Sequence, residues 1–199
     1  MRKLMVLFPG IGYHCDKPLL YYGKKLGEMQ GYTDCIKLLY SYDAGNIRGN
    51  IAGMEKAFQS MYAQTKNQLR AADFGQYDEI LFMSKSIGTV IAAAYAEKHS
   101  IKCKMVLYTP LVQTYTYHIA NGIAFIGQKD PWSDVNKVIL ASQEQDIPIY
   151  LYENANHSLE TDDVIQNLNI LKDVMVKTKR YLSEKESKMG LFKKNILVR

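Results

Sequence analysis

Short apolar runs and amphipathic segments alternate along most of this chain, and few architectures accept that order. The runs are Lys3–Phe8, Cys35–Tyr42, Glu79–Met83, Lys104–Tyr108, Ile123–Ile126 and Ile149–Tyr152, each bounded by Gly, Pro, Asp or Asn. They are nearly continuous in their apolar character, as strands covered on both faces must be. Between them, apolar residues recur at helical spacing: Ile51, Met54, Phe58, Met61, Thr65 and Leu69, then Ile87, Val90, Ile91, Ala94 and Tyr95. A last helix is expected to bury Val164, Ile165, Leu168, Leu171 and Met175, with Thr161 as its cap and Asp162 and Asp163 in its first turn. The order predicts an α/β protein with a doubly wound, mostly parallel six-stranded sheet flanked by helices and joined by right-handed crossovers. No repeat or linker divides it, so residues 1–182 read as one domain and 183–199 as a basic tail or short helix.

Composition narrows the function. The chain has 199 residues, 47% hydrophobic and 23% charged, the balance of an ordinary globular protein. No apolar run approaches the length of a membrane span, and the apolar start breaks at Pro9-Gly10, which suits a first strand better than a signal peptide. The net charge of +5 is concentrated late: from Lys177 onward eight Lys and Arg stand against two Glu, leaving the rest near −1. That is no footprint for nucleic acid. Cys15, Cys35 and Cys103 are odd in number and widely spaced, which speaks for a reducing, cytoplasmic setting and against a disulfide scaffold or zinc site.

Reactive groups in such sheets gather beyond the carboxyl ends of the strands. Four loops there carry chemistry. The third run opens through Ser84-Lys85-Ser86-Ile87-Gly88 into a helical segment. A small-x-Ser-x-small turn between strand and helix holds a serine clear of the sheet, because the sharp bend leaves no room for side chains two residues to either side. The first run leads to Pro9-Gly10-Ile11-Gly12-Tyr13-His14, the fifth to Gly127-Gln128-Lys129-Asp130-Pro131-Trp132, and the sixth to Glu153-Asn154-Ala155-Asn156-His157-Ser158.

The order Ser86, Asp130, His157, each in its loop, resembles the nucleophile–acid–histidine order of the α/β-hydrolases, over about residues 3 to 180. The resemblance is to small, lidless esterase-like members, of the dienelactone hydrolase and carboxylesterase kind. It implies a minimal form of that fold, lacking two leading antiparallel strands, since the chain starts at what would be the family's third. Two departures stand out: Ser84 occupies the first small position, and Pro9-Gly10 replaces the usual His-Gly ahead of the oxyanion loop. The resemblance implies Ser86 as nucleophile, His157 as base and Asp130 as its orienting acid, with the backbone N–H groups of Ile11 and Ile87 as oxyanion donors. It implies a small acyl substrate, an ester or thioester, and no cofactor or metal. An amide, peptide or lactone substrate, and a non-catalytic binding protein, stay open alternatives, as does a homodimer.

Each residue also has a plainer reading. Ser86 could cap the following helix, Asp134 competes with Asp130, and His157 could contact nearby backbone. Thr109 to Asn121 is too short for a helical lid, which predicts a shallow cleft rimmed by Tyr13, His14, Trp132 and Leu111. Lys85 either attracts an anionic acyl group or is simply solvated. His99 is expected at a helix end and His118 at the opposite edge of the sheet. A dinucleotide site is disfavoured, because Cys15 replaces the third glycine after Gly10-x-Gly12 and only Asp43 lies near the end of the second run.

Overall fold

The computed structural model describes residues 1–42, 45, 47–184 and 197–198. Asp43 and most of the tail lie outside the described residues. In chain order the strands are β1 (Lys3–Phe8), β2 (Asp34–Lys37), β3 (Glu79–Lys85), β4 (Lys104–Tyr108), β5 (Gly122–Gly127), β6 (Ile149–Tyr152) and β7 (Leu197–Val198). The helices are α1 (Pro18–Met29), α2 (Ile51–Gln68), α3 (Ile87–Lys98), α4 (Val135–Glu144) and α5 (Val164–Ser183). They form one open sheet in the order β2-β1-β3-β4-β5-β6-β7, with every described pairing parallel. The six expected strands are present, and the two-residue β7 adds a seventh from within the expected tail.

Helices cover both faces. On one, Leu4, Val6, Phe8, Phe82 and Leu107 of the strands pack under α2, α3 and α4. On the other, Met5, Leu7, Met83, Val106 and Tyr108 pack under α1 and α5. The alternation of sides along β1 and β3 is the two-residue period of a pleated strand. Between β1 and β3 the direction of winding reverses, so the loops that follow these strands diverge and leave a crevice at the carboxyl edge.

Three expectations are corrected. First, β2 ends at Lys37, not Tyr42. Leu38 N–H still reaches Leu7 O (3.1 Å), but Leu39 and Ser41 then turn their backbone groups to α2. The side-chain amide of Gln68 pairs with both polar groups of Leu39 (3.0 and 2.8 Å), and that of Gln64 does the same for Ser41 (2.9 and 3.0 Å). Second, α5 is rotated from its expected setting. Val164, Ile165 and Leu168 are exposed, and the buried stripe is Ile170, Val174, Thr178 and Tyr181. Polar partners settle the rotation: Thr178 Oγ1 lies 3.3 Å from the Tyr108 hydroxyl, and Tyr181 donates to Asn121 (2.6 Å). Third, Asp163 rather than Thr161 caps α5, accepting from Ile165 N (2.7 Å) and Gln166 N (2.9 Å).

Candidate active site

Ser86 sits between β3 and α3 with φ 57° and ψ −130°. That backbone conformation costs a non-glycine residue about 1–3 kcal/mol and persists only where packing enforces it. Gly88 is the enforcing contact. A Cβ there would lie 2.3 Å from Phe8 O and 2.5 Å from Pro9 O, so α3 can start this close to β1 only with glycine. The other small position works differently. Ser84 is fully buried and donates its hydroxyl to Val106 O on β4 (3.1 Å), so serine fits in place of the usual glycine by finding a backbone partner. The Ser86 side chain makes no cap bond to α3.

It reaches His157 instead. His157 Nε2 is 2.7 Å from Ser86 Oγ, and His157 Nδ1 is 2.7 Å from Asp130 Oδ2. The second carboxylate oxygen of Asp130 accepts from Trp132 N (2.9 Å), which fixes its plane. Asp134, the rival acid, is committed to the N-terminus of α4, where it accepts from Lys137 N (3.2 Å). The acid and histidine loops are zipped together by Gln128 N to Tyr152 O (2.9 Å) and Lys129 N to Ala155 O (3.0 Å). Gly127 permits that approach, since a Cβ there would fall 2.2 Å from Ala155 O.

The turn after β1 packs on the serine: a Cβ at Gly10 would be 3.1 Å from Ser86 Cβ. Gly10 and Tyr13 exchange backbone hydrogen bonds (3.1 and 3.3 Å), a closed turn in which the Ile11 N–H takes no part. Ile87, as the first residue of α3, has an N–H with no intrahelical acceptor.

Burial pushes the His157 imidazole below its ordinary proton affinity; the Asp130 hydrogen bond opposes this and the Lys85 charge adds to it. In the His157–Asp130 contact the ring Nδ1–H donates and the carboxylate accepts. Lys85, expected on the surface, is only 3% exposed. Burial brings its ammonium down to about 7, against the pull of Asp130 and Glu160.

The expected rim is only partly there. Trp132 is 39% exposed, its ring 5.8 Å from that of His157. His14 is exposed and turned to its own loop, where Nδ1 accepts from Asp16 N (3.3 Å). Tyr13 and Leu111 are buried, so neither is a rim residue; the Tyr13 hydroxyl accepts from Leu19 N (3.1 Å). Lys85 likewise lies beneath the Gly10–Tyr13 turn. Between β4 and β5 there is a short 3-10 turn, Val112–Thr116, with Thr114 and Tyr115 buried, and no helical lid. Thr109, at the end of β4, escaped the sequence reading: its φ is 47°, and among the described residues its hydroxyl is the one buried side-chain polar atom without a hydrogen-bond partner. His99 caps the C-terminal end of α3, and His118 is exposed ahead of β5. Among the described residues, no group of three or more His, Cys, Asp or Glu could hold a metal ion, and no helix is long and apolar enough to cross a membrane.

Solved structures share this fold. An alpha-beta serine hydrolase homologue from Coxiella burnetii superposes with a TM-score of 0.63 at 15% identity, over 92% of this chain and 85% of that one. The chain has the α/β-hydrolase fold. An esterase from Pyrococcus furiosus matches at TM-score 0.56 and 11% identity, over 91% of this chain and 82% of that one. A carboxylesterase from Bacillus cereus matches at 0.50 and 16%, over 90% and 87%. No protein-family model matches the sequence, and no curated protein sequence does. At these identities the likeness is one of α/β-hydrolase fold alone.

Proposed function

We propose that the chain is a serine hydrolase cleaving a small carboxylic ester or thioester through an acyl-enzyme on Ser86. One observation carries the reading: a single imidazole bonded through its two nitrogens to a serine in a strained elbow and to a buried carboxylate, 2.7 Å each. The neighbours' esterase and carboxylesterase activities agree with ester substrates.

In this mechanism Ser86 Oγ attacks the acyl carbon as His157 Nε2 takes its proton. Asp130 holds Nδ1–H, and so the useful tautomer, and stabilises the imidazolium. The Ile11 and Ile87 N–H groups receive the charge that develops on the carbonyl oxygen. Collapse expels the alcohol or thiol, which leaves with the proton from His157. Water then enters by the same route, giving up its proton to His157, and the acid is released with Ser86 restored. The lidless edge favours small or extended acyl groups over long chains that need enclosure. We assign the chemistry to residues 1–182 and a cytoplasmic setting, which suits three free thiols.

The test is labelling with a fluorophosphonate probe, comparing the wild type with Ser86→Ala. Labelling that disappears in the variant is expected, and a panel of p-nitrophenyl esters then ranks acyl length. No Ser86-dependent labelling would overturn the reading.

A further inference from the structure

A cavity of about 430 Å³ opens at the end of α3 away from Ser86, within the size range of small-molecule sites. The 12 residues of α3 carry it roughly 18 Å from the elbow, so the reaction above gives this cavity no part. Its floor is apolar and aromatic. Leu69 after α2 and Tyr95 of α3 are buried there, and Phe74, in the 3-10 turn Phe74–Gln76, sets its ring 6.1 Å from that of Tyr95. Three exposed basic side chains, Lys66, Arg70 and His99, also line it, and none of the described lining residues is acidic. The carboxylates closest in sequence are engaged: Asp73 accepts from Gly75 N (3.0 Å) and Glu97 from His118 N (2.6 Å).

Lys66 rests over the Tyr62 ring (5.7 Å) and His99 against that of Tyr95 (4.2 Å), where both offset the negative ends of α2 and α3. Two features go beyond that task. Arg70 lies past the end of α2, and among the described residues its guanidinium has no ion-pair or hydrogen-bond partner. Tyr95 is only 5% exposed, yet its hydroxyl has no hydrogen-bond partner among the described residues, which costs free energy unless a ligand supplies one. We propose that this cavity binds a small aromatic phosphate, its ring against Phe74 and Tyr95 and its phosphate on Arg70, with Lys66 and His99 beside it. A guanidinium fork matches phosphate oxygens, and a flat ring is the shape that two tilted aromatic side chains receive. A nucleoside monophosphate and a simple aryl phosphate share this chemistry.

The experiment is calorimetric titration of the full chain with adenosine monophosphate and with phenyl phosphate, beside adenosine and inorganic phosphate as the separate halves. At least one aromatic phosphate should bind about tenfold or more tighter than either half, since ring and charge are held together. Binding of the nucleotide alone would assign the site to nucleotides, and binding of both would show that any flat ring serves. Arg70→Gln should weaken binding about tenfold or more, and Tyr95→Phe roughly two- to tenfold. Neither change removes a polar contact within the described protein, so far-UV circular dichroism and the ligand-free melt should stay as in the wild type. Ring-proton NMR should show His99 shifting on titration and His157 unmoved. Equal affinity for inorganic phosphate, binding unaltered in both variants, shifts at His157 alone, or no binding at millimolar concentration would overturn the proposal. None of these readouts needs turnover, so the hydrolase reading stands or falls separately on Ser86 labelling.

Discussion

One added methyl group at Gly88 should disable the site without altering any side chain of the triad. In Gly88→Ala the new Cβ meets Phe8 O at 2.3 Å, Pro9 O at 2.5 Å and the Phe8 carbonyl carbon at 2.8 Å. All three are backbone atoms at the end of β1. A carbon–oxygen contact settles near about 3.3 Å, so α3 and the end of β1 must separate by about 1 Å. The turn that moves is the one holding Ile11 N–H, and the helix that moves begins with Ile87 N–H. Misplacing such groups by about 1 Å costs on the order of 10² in rate, and losing one oxyanion donor about 10²–10³. Overpacking of this kind costs about 1–3 kcal/mol, or a melting point lower by roughly 3–10 °C for a chain this size. The assay is the second-order rate of fluorophosphonate labelling beside a thermal melt. We expect labelling at least about 100-fold slower in a protein that still folds. Ser84→Gly is the control: it loses the bond to Val106 O, worth about 0.5–1.5 kcal/mol, and should label nearly as the wild type does. A folded Gly88→Ala protein with the wild-type rate would refute the link from elbow contact to oxyanion geometry.

Three further outcomes follow from the same geometry. Asp130→Asn retains an oxygen for Trp132 N but can hold His157 in the wrong tautomer, so turnover of a p-nitrophenyl ester should fall about 10⁴-fold with little change in melting temperature. Because His157 is held below its ordinary proton affinity, labelling should rise with pH along a limb centred below about 6.5 and stay high at neutrality. The unfolded chain takes up that proton first, so the matching stability is full above about pH 6.5 and is lost as pH falls toward the folded midpoint, as urea denaturation in stepped buffers would show. For Lys85, about 7 folded against about 10.4 unfolded, the unfolded chain binds more protons between those values, so wild-type stability should climb from pH 7 to 10. Lys85→Met should therefore be more stable to urea than the wild type at pH 7, by at most about 3–5 kcal/mol, and lose that advantage by pH 10.

The parts legible in the sequence are those that neighbouring residues determine. Ile80 to Met83, the small-x-Ser-x-small turn and the apolar helix after it specify strand, elbow and helix within a few residues of each other. The alternation of runs likewise specifies the parallel sheet. The illegible parts depend on distant segments. Lys85 reads as a surface residue because nothing beside it reveals that Tyr13, some seventy residues earlier, closes over its amine. Tyr13 reads as a rim aromatic for the same reason. The apolar residues opening α5 suggested its buried face, yet polar partners at Tyr108 and Asn121 settle its rotation. The run Cys35–Tyr42 has the composition of a long strand, and only the two glutamines of α2 reveal that its second half leaves the sheet.

Those glutamines bear on how the molecule behaves in a crowd. The outer strand of a sheet offers unpaired amide and carbonyl groups to any passing chain, the usual opening for aggregation. Here the exposed border is only four residues long on the β2 side. Beyond it, the polar groups of Leu39 and Ser41 are already engaged by Gln68 and Gln64. The amide side chains imitate the strand that would otherwise be recruited, and the sheet stops growing there.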